Sequence, residues 1–190
     1  MDLIIIRHGQ SEADILNVIE GRADFNLTEC GVHQATLMAA WVSEYIEIDK
    51  IIASPLKRAK QTAEKLSAVT NVPVELDTCL MEWENGLIAG LTREEAGYKY
   101  PELDKKFPHT AVYGQESMID FRARAETALS KIINENSSHS KIAVVSHGGM
   151  INMLFRSFIG AQTNTEVSIS SGDTGIHHWR INEGSRKIVF

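Results

Sequence analysis

Residues 2–14 read DLIIIRHGQSEAD. Leu3, Ile4, Ile5 and Ile6 form an apolar run without alternation, and three of the four are β-branched. This is the pattern of a short strand buried on both faces, as in a parallel sheet covered by helices. The run stops at once on Arg7, His8 and Gly9. Ligands of such sheets bind beyond the carboxyl ends of the strands, so the stop delivers an arginine and a histidine to the binding rim. Strict alternation would send Arg7 and His8 to opposite faces. Both reach one ligand only if the strand ends or bends at Arg7.

The same pattern recurs along the chain. KIIAS (50–54), VPVEL (72–76) and KIAVVS (141–146) read as further buried strands. Between them, residues 28–46 place Met38, Trp41, Val42 and Tyr45 at helical spacing behind Thr28, a plausible N-cap. Residues 54–69 predict a helix with Ser54 as N-cap and Pro55 in its first turn. Residues 115–136 predict a long amphipathic helix and 149–160 a shorter buried one. In the tail, 166–190, GIHHWRI and RKIVF suit a hairpin at a sheet edge. Strand and helix in alternation predict an α/β fold: a three-layer α/β/α sandwich with a mostly parallel central sheet.

Composition narrows the function classes. Of 190 residues, 43% are hydrophobic and 23% charged, an ordinary balance for one globular domain, and no repeat or linker divides 1–190. A formal net charge of −6 without a long basic run argues against nucleic acid as a partner. No stretch approaches the roughly eighteen apolar residues of a membrane span, and no signal-peptide pattern precedes Leu3. Cys30 and Cys79 lie outside any CxxC pair and are expected as free thiols of a cytoplasmic protein. An anionic ligand then needs a local cationic pocket within an acidic protein.

Candidate pocket residues lie at the strand ends. His147 follows KIAVVS and precedes Gly148, Gly149 and a helix, just as His8 follows LIIIR. The helix start adds free N–H groups that suit an anion. Lys57 and Arg58 stand in the first turn of a helix, where cations oppose the macrodipole unless an anion offsets them. Glu82 follows the third strand in LMEWENG. His177 and His178, adjacent in a strand, face opposite sides and make a poor metal pair. Trp83, Tyr98, Tyr100, Phe107 and Tyr113 suit either an apolar wall or a small core of their own. Arg122 or Arg124, on the long helix after Glu116 and Ser117, suits either a pair with a carboxylate near the site or, by preference, ordinary solvation.

Taken in order, LIIIRHGQSEAD, EGRADFNLTECGVHQA, ASPLKRAKQTAE, LMEWENGLIAGLT, GQES and VVSHGGMI resemble the histidine phosphatase superfamily, which includes cofactor-dependent phosphoglycerate mutases. The resemblance runs from residue 3 to about 155. It implies a small lid subdomain at about residues 83–113, His8 as nucleophile, Glu82 as proton donor, and Arg7, Arg58 and His147 as the phosphate pocket. Gly9, Gln10, Asn17, Gly21 and Gly148 join the phosphate-binding set. It implies no cofactor and no metal, a small phosphorylated metabolite and inorganic phosphate as ligands, and a monomer or homodimer. A neutral His8 and a protonated Glu82 together give a bell-shaped pH profile with a mildly acidic to neutral optimum.

Two acidic positions depart from the family. Asp14 stands where many relatives carry Asn, and Glu20 where they carry Gln or Thr. An ionised Asp14 beside phosphate would repel it, so Asp14→Asn is expected to lower KM. Mutases of the family follow the glutamate with Arg, His and Tyr, whereas Trp83, Glu84 and Asn85 stand here. The segment that follows, TREEAGYKYPELDKKFPH, is of mixed charge and offers little grip on a second anion. The reading is a metal-independent phosphatase of small phosphomonoesters acting through phosphohistidine. A phosphoglycerate mutase and a non-catalytic phosphate-binding module stay open beside it.

Overall fold

The computed structural model describes residues 1–163 and 165–190. Strand β1 (Asp2–Arg7) is followed by helices α1 (Glu12–Leu16) and α2 (Glu29–Tyr45), strand β2 (Lys50–Ala53), helix α3 (Lys57–Thr70) and strand β3 (Val74–Leu76). Helices α4 (Arg93–Lys99) and α5 (Met118–Asn134) precede strand β4 (Lys141–Ser146) and helix α6 (Gly148–Phe158). The hairpin β5 (Ile176–Asn182) and β6 (Ser185–Ile188) closes the chain. The sheet order is β3-β2-β4-β1-β5-β6. The first four strands are parallel, and β5 runs antiparallel to both β1 and β6.

The apolar run of β1 faces both ways because alternate side chains leave a strand on opposite sides. Leu3 and Ile5 join Phe121, Leu129, Ile151 and Leu154 from α5 and α6. Ile4 and Ile6 join Met38, Val42, Ala63 and Leu66 from α2 and α3. Each fully buried side chain of this size stabilises the fold by about 1.5–3 kcal/mol. Trp179 of β5 is wholly buried against Phe155 and Phe158, which fixes the hairpin to the α5/α6 layer.

Local predictions hold in most places, and the exceptions have causes. Thr28 caps α2 by accepting from the Gly31 amide at 2.9 Å. Of the apolar stripe on α2, Met38 and Val42 are core, while Trp41 and Tyr45 lie at the surface against each other and Phe190. Helix α3 starts at Lys57 with Leu56 as N-cap, not at Ser54. The Ser54 hydroxyl is occupied by His147 and by the Leu56 amide. Asp24 does the capping instead, accepting from the Lys57 amide at 2.7 Å.

Residues 83–113 lie against the loop after α1. The Ile19 amide donates to Leu91 O, the Gly90 amide donates to Ile19 O, and Val18 bridges Thr92. The aromatic residues of this region divide. Trp83 packs edge-on against Phe121 of the main core, Tyr100 and Tyr113 pair at 5.2 Å, and Tyr98 is almost fully exposed.

The loop after β1 is seated on the start of α2 by two glycines. A Cβ at Gly31 would lie 2.0 Å from Gln10 O, and one at Gly9 would lie 2.6 Å from Gly31 O. Both neighbours are backbone and cannot swing away. Gly31→Ala is expected to cost about 1–3 kcal/mol of stability by overpacking, measured as a lower urea midpoint at unchanged m-value.

Candidate active site

Parallel pairing decides the site. In the β1–β4 register Arg7 lies opposite Ser146, so the next residues, His8 and His147, leave the sheet side by side. Their ring centroids are 5.1 Å apart. Strand β1 ends at Arg7, which removes the alternation constraint on His8. The His8 amide still donates to Ser146 O at 3.0 Å.

The tautomer of His8 follows from its contacts. Nδ1 lies 2.7 Å from Gly9 O, and a carbonyl can only accept, so Nδ1 carries the proton. Nε2 is therefore a lone pair, and it receives the Arg58 Nε–H at 3.3 Å. His8 is 1% exposed. Burial, reinforced by Arg58 and Arg7, pushes its pKa down to about 3. His147 is pushed well below the ordinary value by burial and then by Arg58. Both rings are neutral in the unliganded protein.

Arg58 is fully buried and fixed at three points. Besides its contact with His8, its Nη1 donates to Ala23 O at 3.0 Å and its Nη2 to Gly21 O at 2.8 Å. Gly21 has φ +52°, and a Cβ there would meet the Asn85 side chain at 2.6 Å. Arg7 donates from Nη1 to Ser171 O at 2.7 Å, with Asp173 Oδ1 at 3.6 Å from Nη2. His147 places Nε2 2.8 Å from Ser54 Oγ. Among the described residues, Arg7 Nε and His147 Nδ1 are buried without a hydrogen-bond partner. A Cβ on Gly148 would stand 3.9 Å from that Arg7 Nε.

Glu82 is held at the N-terminus of α6. Its Oε2 accepts from the Gly149 amide at 2.9 Å and its Oε1 from the Trp83 amide at 2.8 Å. A Cβ on Gly149 would come within 2.4 Å of Glu82 Oε1, so only glycine lets the carboxylate approach. Its backbone carbonyl accepts from Arg124 Nη2 at 3.0 Å and Arg22 Nε at 3.3 Å. Arg124 also binds Glu116 and the carbonyls of Cys79 and Met81. Of the two readings of Arg124, the structure shows the carboxylate pair and not the solvated side chain. Arg124 sits on the inner side of α5, its guanidinium 4.9 Å from the Phe121 ring, because the turn carrying Glu82 needs donors. Arg122 pairs with Glu126 and Ala161 O.

Several expected phosphate ligands are engaged elsewhere. The Gly9 amide donates to Thr62 Oγ1 at 3.1 Å. Gln10 uses its amide on Gln34 and its side-chain oxygen on Thr28. Asn17 is the exposed, left-handed C-cap of α1. Asp14 is turned to the start of α1, where its Oδ2 accepts from the Ser11 amide at 2.7 Å and from Ser11 Oγ at 3.2 Å. The predicted repulsion therefore falls on Glu20. That carboxylate lies 3.4 Å from Arg58 Nε and 3.8 Å from His8 Nε2. The residues that sequence reasoning missed are Ser54, Thr62, Arg124, Gly149 and Asp173. Arg124 beside the buried stripe of α5 was the one readable signal; the others depend on contacts across the sheet.

Comparison with known proteins agrees with the motif order. Residues 3–190 match the histidine phosphatase superfamily (branch 1). A broad-specificity phosphatase of Saccharomyces cerevisiae is 34% identical over 160 residues, covering 81% of this chain and 68% of that protein. Phosphoglycerate mutase-like protein 4 of Arabidopsis thaliana is 28% identical, covering 97% of this chain and 81% of its own length. A solved mycobacterial glucosyl-3-phosphoglycerate phosphatase, complexed with VO3, superposes with a TM-score of 0.86 at 25% identity, covering 98% of this chain and 96% of that one.

Two outcomes follow from this geometry. Unfolded histidine takes up a proton as pH falls through about 6.5, whereas native His8 and His147 stay neutral. Their contribution is complete above that pH, and stability falls below it by up to about 1.4 kcal/mol per pH unit for each ring. Urea midpoints at pH 7, 6 and 5 should show this decline, and His147→Asn should flatten it. Gly149→Ala should displace Glu82 and lower kcat about a hundredfold, with a much smaller change in melting temperature.

Proposed function

This chain belongs to the histidine phosphatase superfamily, branch 1, and we propose that it hydrolyses small-molecule phosphomonoesters without metal through a phosphohistidine on His8. The observation that carries the reading is the His8 ring. Its proton is held on Nδ1 by Gly9 O, and its free Nε2 lies in a buried setting between Arg58 and the ring of His147.

In the first step Nε2 attacks phosphorus, the P–O bond to the leaving group breaks, and Glu82 passes a proton to the departing oxygen. Water then attacks phosphorus from the side opposite Nε2, with Glu82 taking its proton, and the P–N bond breaks to release inorganic phosphate. Charge spreads over the three phosphoryl oxygens in such transfers, so fixed positive charge is the main requirement. Arg7 and Arg58 supply it, each pre-oriented by backbone carbonyls. A hydroxyl proton donated from Ser54 to His147 Nε2 leaves the ring proton on Nδ1, a donor for a phosphoryl oxygen.

The surroundings of Glu82 favour release to water over retention of a doubly phosphorylated ligand. A cleft of about 630 Å³ next to Trp83 and Asn85, whose lining does not include Glu82, His8 or His147, is bordered by Glu102, Glu116 and Glu166 as well as Lys106 and Arg156. Its volume suits a small metabolite. Its mixed charge gives no strong hold on a second phosphate.

Turnover of p-nitrophenyl phosphate should persist in EDTA and vanish in His8→Ala. Glu82→Gln should lower kcat by about 10²–10⁴. A trapped phosphoenzyme should be acid-labile and alkali-stable. Interconversion of 2- and 3-phosphoglycerate without phosphate release would favour the mutase reading instead.

A further inference from the structure

Glu20 is a carboxylate inside a pocket otherwise built for an anion. Its Oε1 is 3.4 Å from Arg58 Nε and its Oε2 is 3.8 Å from His8 Nε2, the two groups that the proposed function assigns to phosphate. It therefore competes with a phosphoryl oxygen for the same two groups. The side chain is largely buried, with 18% of its surface exposed.

A count of protons around Ser11 adds an independent constraint. Ser11 Oγ is fully buried between Glu20 Oε1 and Asp14 Oδ2, in hydrogen-bond contact with both. One hydroxyl proton cannot serve two carboxylates. With Glu20 ionised beside Arg58, the hydroxyl proton serves one carboxylate and the other contact is left without a proton. Uptake of a proton by Glu20 satisfies both, Glu20 donating to Ser11 Oγ and Ser11 donating to Asp14. The groups facing Glu20 are Arg58 from α3, His8 from the end of β1, Ser11 and Asp14 at α1, and Glu82 from the turn before the lid. Of these, only Arg58 carries a fixed positive charge. It is also the group that a bound phosphate would engage.

We propose that Glu20 is a proton-coupled occupant of the phosphate pocket: its carboxylate pairs with Arg58 when the pocket is empty, and it takes up one solvent proton when an anion displaces it. This rests on the phosphate-pocket reading above and adds a cost to binding that grows with pH. Burial, helped by the neighbouring Asp14 and Glu82, holds the pKa of Glu20 above the ordinary carboxylate value against the opposing effect of Arg58 and Ser11. The device favours product release, because inorganic phosphate leaves as Glu20 loses its proton and reclaims Arg58.

Sulfate is a suitable probe because it stays a dianion across the range, and E20Q fixes the protonated form by placing an amide donor against Ser11. Sulfate affinity is read from the rise in melting temperature with concentration at pH 5.5 and 7.5. In the native chain it should weaken at least tenfold between those values. E20Q should weaken far less and bind about tenfold more tightly at pH 7.5. E20A, which removes both charge and donor, should also lose the steep pH dependence, and circular dichroism establishes that both variants are folded. Parallel profiles for the native chain and the variants, or weaker binding by E20Q at pH 7.5, would overturn the proposal. The readout needs no turnover. Loss of p-nitrophenyl phosphatase activity with the sulfate difference intact would therefore refute the catalytic reading alone.

Discussion

The parallel register of β1 against β4 is the constraint on which the rest depends. With Arg7 opposite Ser146, the residues that follow are forced out of the sheet together, and two imidazoles meet at a buried edge. Each strand brings four buried apolar residues to that pairing, and a slip of one residue would turn every one of them to the wrong layer. The hydrophobic core therefore sets the geometry of the candidate site.

Once the histidines are placed, their chemistry follows from exclusion of water and from positive charge. Burial and the two guanidiniums keep both rings neutral, and the Gly9 carbonyl selects the tautomer. The arginines are in turn held by carbonyls from loops remote in sequence: Gly21 and Ala23 for Arg58, Ser171 for Arg7. Backbone acceptors fix orientation without neutralising charge, and the carboxylates that a ligand must compete with are Glu20 beside Arg58 and Asp173 beside Arg7. Glu82 is treated in the complementary way. Backbone amides at a helix start hold its carboxylate, and two arginines hold its carbonyl.

Acidic residues near a phosphate pocket do not act alike, and their side-chain contacts separate them. Asp14 is spent on the start of α1, at a distance set by Ser11. Glu20, six residues later, extends past Ser11 to Arg58. Charge alone would have ranked them equally. The difference lies in side-chain length and in which donors each carboxylate reaches, the Ser11 amide for Asp14 and Arg58 for Glu20.

The strands, most helices and the order of motifs were written in the sequence, because apolar period, caps and glycine doublets act within a few residues of one another. Arg7, His8 and His147 were readable for the same reason, each standing at a strand end that the pattern already marks, whereas Arg58 and Glu82 were singled out by the ordered motifs of the family resemblance. What only the tertiary structure decided is how they are held. Ser54 left its cap to meet His147, Asp24 replaced it, Gly9 and Gln10 turned to Thr62 and Gln34, and Arg124 reached under the turn that carries Glu82. Those partners lie up to 93 residues apart. A hydrogen-bonding group chooses among all acceptors that packing brings within about 3 Å, and local sequence does not contain that list.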